Sequence, residues 1–248
     1  MLETEKMTTK TNILITGAAG GFGSELATQL GRRAVAENLE LILLDNNVGG
    51  LDQLADNIQA ESVYEPLIYP LDLETSSIDE YTQMAASIAA QIGHLDMLIH
   101  CAARFTALSP MLHSDPVEWL RVMQTNLNGP WLLTRSCAGL LKQAGNSKLV
   151  FLLEDLNTMK EANWGSYGAS KLALAALVGQ LAAELRQDNI HVAGLNPGPM
   201  RTSLRAKAWM PSSNDPAKPV DEVVQRFLSW LDKPELWAAD GEPNQLSD

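Results

Sequence analysis

The stretch Asn163-Trp164-Gly165-Ser166-Tyr167-Gly168-Ala169-Ser170-Lys171 carries a phenol and an amine four positions apart. On a helix that spacing sets both side chains on one face, one turn apart. A phenol ionises near pH 10, and a cation held beside it favours the phenolate. Tyr167 and Lys171 are therefore a candidate proton donor and acceptor at neutral pH. The same pair also recurs on ordinary solvated helices, so its meaning depends on whether the chain brings a cofactor to it.

The N-terminal part supplies a place for one. Asn12-Ile13-Leu14-Ile15-Thr16 reads as a buried strand, and it runs into Gly17-Ala18-Ala19-Gly20-Gly21-Phe22-Gly23. A helical pattern follows, with Phe22, Leu26 and Leu30 on one face. Strand, glycine turn and helix form the context in which backbone N–H groups and a helix N-terminus receive a pyrophosphate. A tight turn without ligand is the plainer alternative. Residues 39–44 form a second strand, with Asp45 at its end, 22 residues past Gly23. A dinucleotide fold places there the carboxylate that binds the adenosine ribose hydroxyls. Such a carboxylate repels a 2′-phosphate, and no Arg or Lys lies within the glycine turn or directly after Asp45. NAD is therefore expected over NADP. An Asp at a strand end also serves as a helix cap.

The rest of the chain keeps the alternation. Strands are expected at 67–71 (interrupted by Pro70), 95–99, 148–153 and 190–195, with a last short one at 236–239. Helices are expected at 76–92, 116–141, 167–186 and 220–231, the second kinked where Gly129-Pro130 removes a hydrogen bond. This order describes an α/β protein with a doubly wound parallel sheet of about seven strands and helices on both faces. No repeat or linker divides the chain, so residues 12–248 are expected as one domain behind a disordered lead-in, 1–11.

Composition narrows the partners. Formal net charge is −12 over 248 residues, which argues against nucleic acid or an anionic membrane surface. The two cysteines, Cys101 and Cys137, and the four histidines have no metal-type spacing. No segment approaches the roughly 20 apolar residues of a membrane span, and no signal peptide is visible. The expectation is a cytoplasmic protein without a metal.

Taken together, Thr16-Gly17-x-x-x-Gly21-x-Gly23, Asp45, Asp72, Asn126 in Thr-Asn-Leu-Asn-Gly, Tyr167-x-x-x-Lys171 and Pro197-Gly198-x-x-x-Thr202 resemble the short-chain dehydrogenase/reductase family over essentially the whole chain. The resemblance implies a Rossmann fold and hydride transfer between a nicotinamide and a carbonyl/alcohol substrate. It implies that Gly17, Gly21, Phe22 and Gly23 hold the pyrophosphate and Asp45 the ribose. Asp72 and Leu73 would lie by the adenine, Cys101 and Ala102 along the cofactor, and Pro197 and Thr202 by the nicotinamide carboxamide. Tyr167 would be the acid/base. Lys171 would bind the nicotinamide ribose and lower the tyrosine pKa, and Asn126 would anchor a relay water.

Two places depart from the family pattern. The usual Asn-Asn-Ala-Gly after the fourth strand reads His100-Cys101-Ala102-Ala103. The usual catalytic serine, thirteen residues before the tyrosine, is Glu154. A charged carboxylate cannot donate a hydrogen bond, opposes an oxyanion and raises the tyrosine pKa. Three arrangements stand open: Glu154 kept neutral by burial and acting as donor, Glu154 paired with Lys171 in a poorly active site, or a shifted loop that carries Glu154 into solvent while Thr158 or Ser166 approaches the substrate. The second of these makes the chain an NAD(H)-binding pseudo-enzyme, a redox sensor or subunit.

Residues 203–219 fall where the family places its substrate lid. Arg201, Arg205, Lys207 and Lys218 against the single acid Asp215 suggest an anionic substrate, with Trp209 and Met210 as an apolar wall. Solvated charges on a loop account for the same pattern. The resemblance also implies a homodimer or homotetramer paired through residues 116–141 and 167–186. Ala173, Ala176, Gly179 and Ala183 offer the second helix a flat small-residue face, which could equally turn to the sheet.

Overall fold

The computed structural model describes residues 10–209, 215–233 and 244–246. Seven parallel strands form one sheet: β1 (Thr11–Thr16), β2 (Leu39–Asp45), β3 (Leu67–Pro70), β4 (Met97–His100), β5 (Ser147–Leu152), β6 (Ile190–Asn196) and β7 (Asn244–Gln245). Their order is β3-β2-β1-β4-β5-β6-β7, so the direction of winding reverses between β1 and β4. Ligands in such sheets bind outside the carboxyl ends of the strands at that reversal.

Strand periodicity divides the core. Ile13 and Ile15 point to one face, where they pack with α1 (Gly21–Glu37), α2 (Val48–Ser62) and α8 (Val220–Leu231). Leu14, between them, points to the other face. There it joins a cluster from α3 (Ile78–Ile92), α5 (Gly129–Gln143) and α7 (Gly165–Leu185). Both layers are apolar because strands covered on two faces have no wet side.

Several boundaries differ from the sequence expectation. β1 starts at Thr11, inside the expected lead-in, because Thr11 donates to Asn38 O at 2.9 Å and pairs with Leu39. β3 ends at Pro70, which the sheet tolerates because β3 is an edge strand. Helix α2 is absent from the sequence expectation. Gly49 and Gly50 open it and resemble a loop, yet Leu51, Leu54, Ala55 and Ile58 are buried at helical spacing. The long helix divides into α4 (Pro116–Met123), a π-turn at Gln124–Asn128, and α5. Pro130 directly follows the π-turn, where the helical run widens and Gly129 N donates to Gln124 O, five residues back. The expected strand at 236–239 lies outside the described residues, and the strand beside β6 is Asn244–Gln245.

Candidate active site and cofactor cleft

A cleft of about 440 Å³ opens at the carboxyl ends of β1, β2, β4, β5 and β6. Its first wall is the glycine turn. Gly17 has φ +64°, and a Cβ there would stand 2.6 Å from the backbone of Ala102. A Cβ on Gly23 would come within 2.2 Å of the Gly17 carbonyl. These glycines fold the turn onto itself and onto the end of β4. Helix α1 then begins at an N-cap, Gly20, that makes no side-chain cap bond. Its first-turn N–H groups and partial positive charge are left for an anion, which fits a dinucleotide pyrophosphate. Phe22 reaches the cleft through its backbone, since its ring packs edge-on against Phe227 at 5.3 Å.

At the far end, Asp45 Oδ2 accepts from Ala19 N at 3.0 Å and Oδ1 from Asn47 N at 2.9 Å. The carboxylate thus ties the glycine turn to β2 while lining the cleft. Asp72 accepts from Glu74 N and Thr75 Oγ1, at 2.9 and 3.0 Å, and shapes the bend that sets Leu73 against the cleft. Cys101 N and Ala102 N donate to Thr16 Oγ1 at 3.2 and 3.3 Å, which joins the ends of β4 and β1. Pro197 and Thr202 line the opposite lip, the Thr202 methyl facing Gly21.

Tyr167 and Lys171 project from the first turns of α7, and both are buried. Lys171 Nζ donates to the Leu152 carbonyl at 2.8 Å and lies 5.8 Å from the centre of the Tyr167 ring. Burial lowers its pKa, an effect that the Glu154 charge opposes. Tyr167 Oη donates to Glu154 Oε1 at 2.6 Å. The phenol's pKa is pushed well above its ordinary value, first by burial and then by the neighbouring carboxylate.

The position of Glu154 has a local cause. Asp155 caps the short helix α6 (Leu156–Met159) by accepting from Asn157 N at 2.9 Å, which fixes the loop register. Gly168 lets α6 close on α7, since a Cβ there would meet Met159 O at 2.5 Å. The Lys171 pairing of the second open arrangement and the loop shift of the third are thereby corrected. Lys171 donates to Leu152 O rather than to Glu154. Thr158 donates to Asp155 Oδ2 at 3.0 Å and is turned to α6, and Glu154 lies in the cleft rather than out in solvent.

Asn126 lies in the π-turn, 1% exposed. Its Nδ2 donates to Arg104 O and Ser170 Oγ, both at 3.0 Å, and its Oδ1 accepts from Arg104 N at 2.7 Å. Both side-chain donors are therefore spent on the framework. A relay water, if Asn126 anchors one, must be held by its acceptors.

Beside Tyr167, sequence reasoning names Trp209 as an apolar wall and misses Phe105 and Trp164. Phe105, Trp164 and Tyr167 form one ring cluster, with centres 4.9 to 6.0 Å apart, and Trp209 joins Trp164 at 5.0 Å. Trp164 stands three residues before Tyr167, and that helical spacing was a usable signal. Phe105 sits in a loop without periodicity and gave none. The cations of residues 203–219 are engaged: Arg205 pairs with Asp215 at 2.9 Å, Lys207 donates to Phe105 O at 2.8 Å, and Lys218 lies 3.4 Å from Glu222. Met210 lies outside the described residues. Beside the cleft, Arg104 and Arg121 each bridge Glu74 and Glu118, a four-member ionic ring at 2.8 to 3.2 Å.

Residues 11–212 match the family model described as short chain dehydrogenase. The chain belongs to the short-chain dehydrogenase/reductase family. Within it, the chain is 34% identical over 219 residues to the uncharacterized oxidoreductase YciK of Escherichia coli (strain K12), covering 88% of this chain and 84% of that protein. A short chain dehydrogenase of Shigella flexneri 2a, solved as a complex with NADP, superposes with a TM-score of 0.86 at 31% identity, covering 95% of this chain and 96% of that one. Another from Escherichia coli CFT073, complexed with NADPH, gives a TM-score of 0.86 at 32% identity, covering 96% and 97%. The chain is thus an oxidoreductase by family, of a kind that uses a nicotinamide dinucleotide. No helix among the described residues is long and apolar enough to cross a membrane.

Proposed function

We propose that this short-chain dehydrogenase/reductase transfers a hydride between NAD(H) and a small carbonyl/alcohol substrate, with Glu154 in place of the usual serine. The observation that carries the reading is the pair of buried side chains, Tyr167 and Lys171, on the wall of a cleft that the uncapped N-terminus of α1 also lines. A bound nicotinamide supplies the hydride chemistry. The chain's own residues bind and align it and manage the proton. Gly17, Gly21 and Gly23 give backbone access to the pyrophosphate, and Asp45 receives the ribose hydroxyls. Asp72 and Leu73 flank the adenine, and Cys101, Ala102, Pro197 and Thr202 flank the nicotinamide end. Lys171 orients the nicotinamide ribose. Tyr167 keeps its proton past neutrality because its pKa is raised, which suits it to donate during reduction more than to accept during oxidation.

NAD is the preferred cofactor in this reading because Asp45, Asn46 and Asn47 offer no base to a 2′-phosphate, whereas similar chains were solved with NADP and NADPH. An anionic substrate draws its remaining support from the exposed Arg201, since Arg205, Lys207 and Lys218 are engaged. Residues 203–219 act as the lid. Pairing of copies through α5 and α7 is supported by the exposed Ala176, Ala183 and Trp131. A monomeric mass by light scattering at micromolar concentration removes it. The free cysteines accord with a cytoplasmic location.

A second reading has its own observation. The Tyr167 proton is already committed to Glu154 at 2.6 Å, which suits a cofactor-binding pseudo-enzyme. Calorimetric titration with NADH and NADPH, followed by turnover on a carbonyl panel, separates the two. Binding without turnover favours the pseudo-enzyme, and absence of binding defeats both.

A further inference from the structure

A side chamber of about 60 Å³ opens off the cleft beside Tyr167. Its lining is unusual for a site that stabilises negative charge. Phe105, Trp164, Tyr167 and Trp209 supply four aromatic rings, and among the described residues Glu154 is the only acid on the wall. Among the described residues the only base on the chamber wall is Arg205, which pairs with Asp215 at 2.9 Å. Arg205 also shows what these rings attract, since its guanidinium carbon lies 4.2 Å from the centre of the Trp209 ring. Lys171 lines the main cleft and not the chamber. Aromatic faces around one carboxylate form a receptor for an organic cation. The volume suits the few heavy atoms of an amine head group.

We infer that the site takes a cationic carbon–nitrogen substrate, an iminium ion and its amine product, in preference to a carbonyl. The inference rests on the hydride-transfer reading above and changes the acceptor. In carbonyl reduction, negative charge grows on oxygen, and Glu154 opposes it. In iminium reduction the sign is reversed. The substrate carbon gains a C–H bond by accepting a hydride, with its electron pair, from the reduced dinucleotide. The C=N π pair passes to nitrogen, which loses its positive charge. The substrate is reduced by two electrons, the dinucleotide is oxidised by two, and a fully substituted iminium requires no proton. Glu154 binds the cation and aligns it. Tyr167, its proton held on Glu154, serves as a positioning residue rather than an acid. The same carboxylate that impairs carbonyl chemistry is complementary to this one.

The test uses the full chain and the isosteric variant Glu154→Gln. NADH affinity is measured first by calorimetry. Quenching of tryptophan emission then reports binding of N-methylpyrrolinium against cyclopentanone, and of N-methyl-dihydroisoquinolinium against tetralone, each pair matched in ring size. The expected result is at least tenfold tighter binding of the cation in one pair, collapsing to less than threefold in Glu154→Gln with NADH affinity unchanged. NADH oxidation should likewise be faster with that cation and slow about tenfold in the variant. Unchanged NADH affinity shows that the variant is folded. If NADH fails to bind the wild type, the oxidoreductase reading falls and this inference falls with it. If NADH binds and no cation is preferred, or the preference survives in Glu154→Gln, the iminium inference alone is overturned.

Discussion

The two ends of the cleft are built by different means. The proposed dinucleotide end is made of backbone: a turn that only glycine can form, an uncapped helix, and the ends of β1 and β4 tied through Thr16. The proposed substrate end is made of side chains: Glu154 on Tyr167, three further aromatic rings, and an Arg205 paired with Asp215. Backbone recognition depends on the fold and serves one shared ligand. Side-chain recognition can be rewritten residue by residue, and Glu154 is the proposed instance. A change at one end should therefore damage binding of the cofactor, and a change at the other should redirect chemistry while leaving the cofactor in place.

The largest effect is expected at the dinucleotide end. In Gly23→Ala the new methyl meets the Gly17 carbonyl at 2.2 Å, a backbone atom that cannot swing aside. Overpacking at this level costs about 3 kcal/mol in folding stability and opens the turn. Urea unfolding should show the lower midpoint, and NADH affinity should fall by about a hundredfold or more. Retained NADH affinity would mean that the turn does not hold the pyrophosphate.

Next is Glu154→Ser, at the other end. The change removes the charge and introduces a hydroxyl donor, so carbonyl reduction should rise by roughly tenfold or more. The Tyr167 pKa should fall part of the way, because burial remains and only the carboxylate's added effect is gone. Sign matters here: a lower phenol pKa moves the alkaline limb of reduction toward neutrality. NADH affinity should stay within about twofold, since the ribose and pyrophosphate contacts lie elsewhere. A panel on which carbonyl rates do not change, in either direction, would remove Glu154 from the reacting centre.

That asymmetry also explains what was legible beforehand. The sheet, the glycine turn and Tyr167-x-x-x-Lys171 follow from short-range pattern, because strand periodicity and backbone sterics are local. The Glu154–Tyr167 bond depends on loop register, which Asp155 sets by capping at Asn157 and Gly168 sets through Met159, nine residues back. The chamber depends on Phe105 and Trp209, 62 and 42 residues from Tyr167, whose proximity no local pattern encodes. The lid cations show the same limit. Four bases in one stretch resemble an anion site, and only the fold pairs Arg205 with Asp215 and sends Lys207 to Phe105.

A smaller effect concerns which dinucleotide enters. A 2′-phosphate facing Asp45 should cost about 1–3 kcal/mol, so NADPH should bind at least tenfold more weakly than NADH. Asp45→Ala with Asn46→Arg should reverse that order. Because Asp45 also accepts from Ala19 and Asn47, the double variant should lose some affinity for both. Asp45→Asn, which keeps an acceptor, separates the two contributions. Equal affinities for NADH and NADPH in the wild type would leave Asp45 with its structural role alone.

The smallest effect lies at the seam between the two ends, where β4 delivers His100 instead of the family's usual asparagine. Its ring is 3% exposed, stacked on Phe151 at 4.6 Å and bonded to Thr134 Oγ1 at 2.9 Å. Burial holds its pKa down to about 3. In the unfolded chain the imidazole takes up a proton near pH 6.5. Between those two values the unfolded state binds more protons, so stability rises with pH and is lost as pH falls from about 6.5 toward 3. By that linkage, acidifying from pH 7 to 5.5 should cost about 1 kcal/mol through His100. His100→Gln keeps a polar group for Thr134 and cannot titrate there, so its stability should fall less over the same interval. The carboxylates that titrate below pH 5.5 affect both proteins alike and cancel in the difference. Urea midpoints at pH 7 and 5.5 measure it, and parallel losses in the two proteins would show that His100 is already open to protons in the fold.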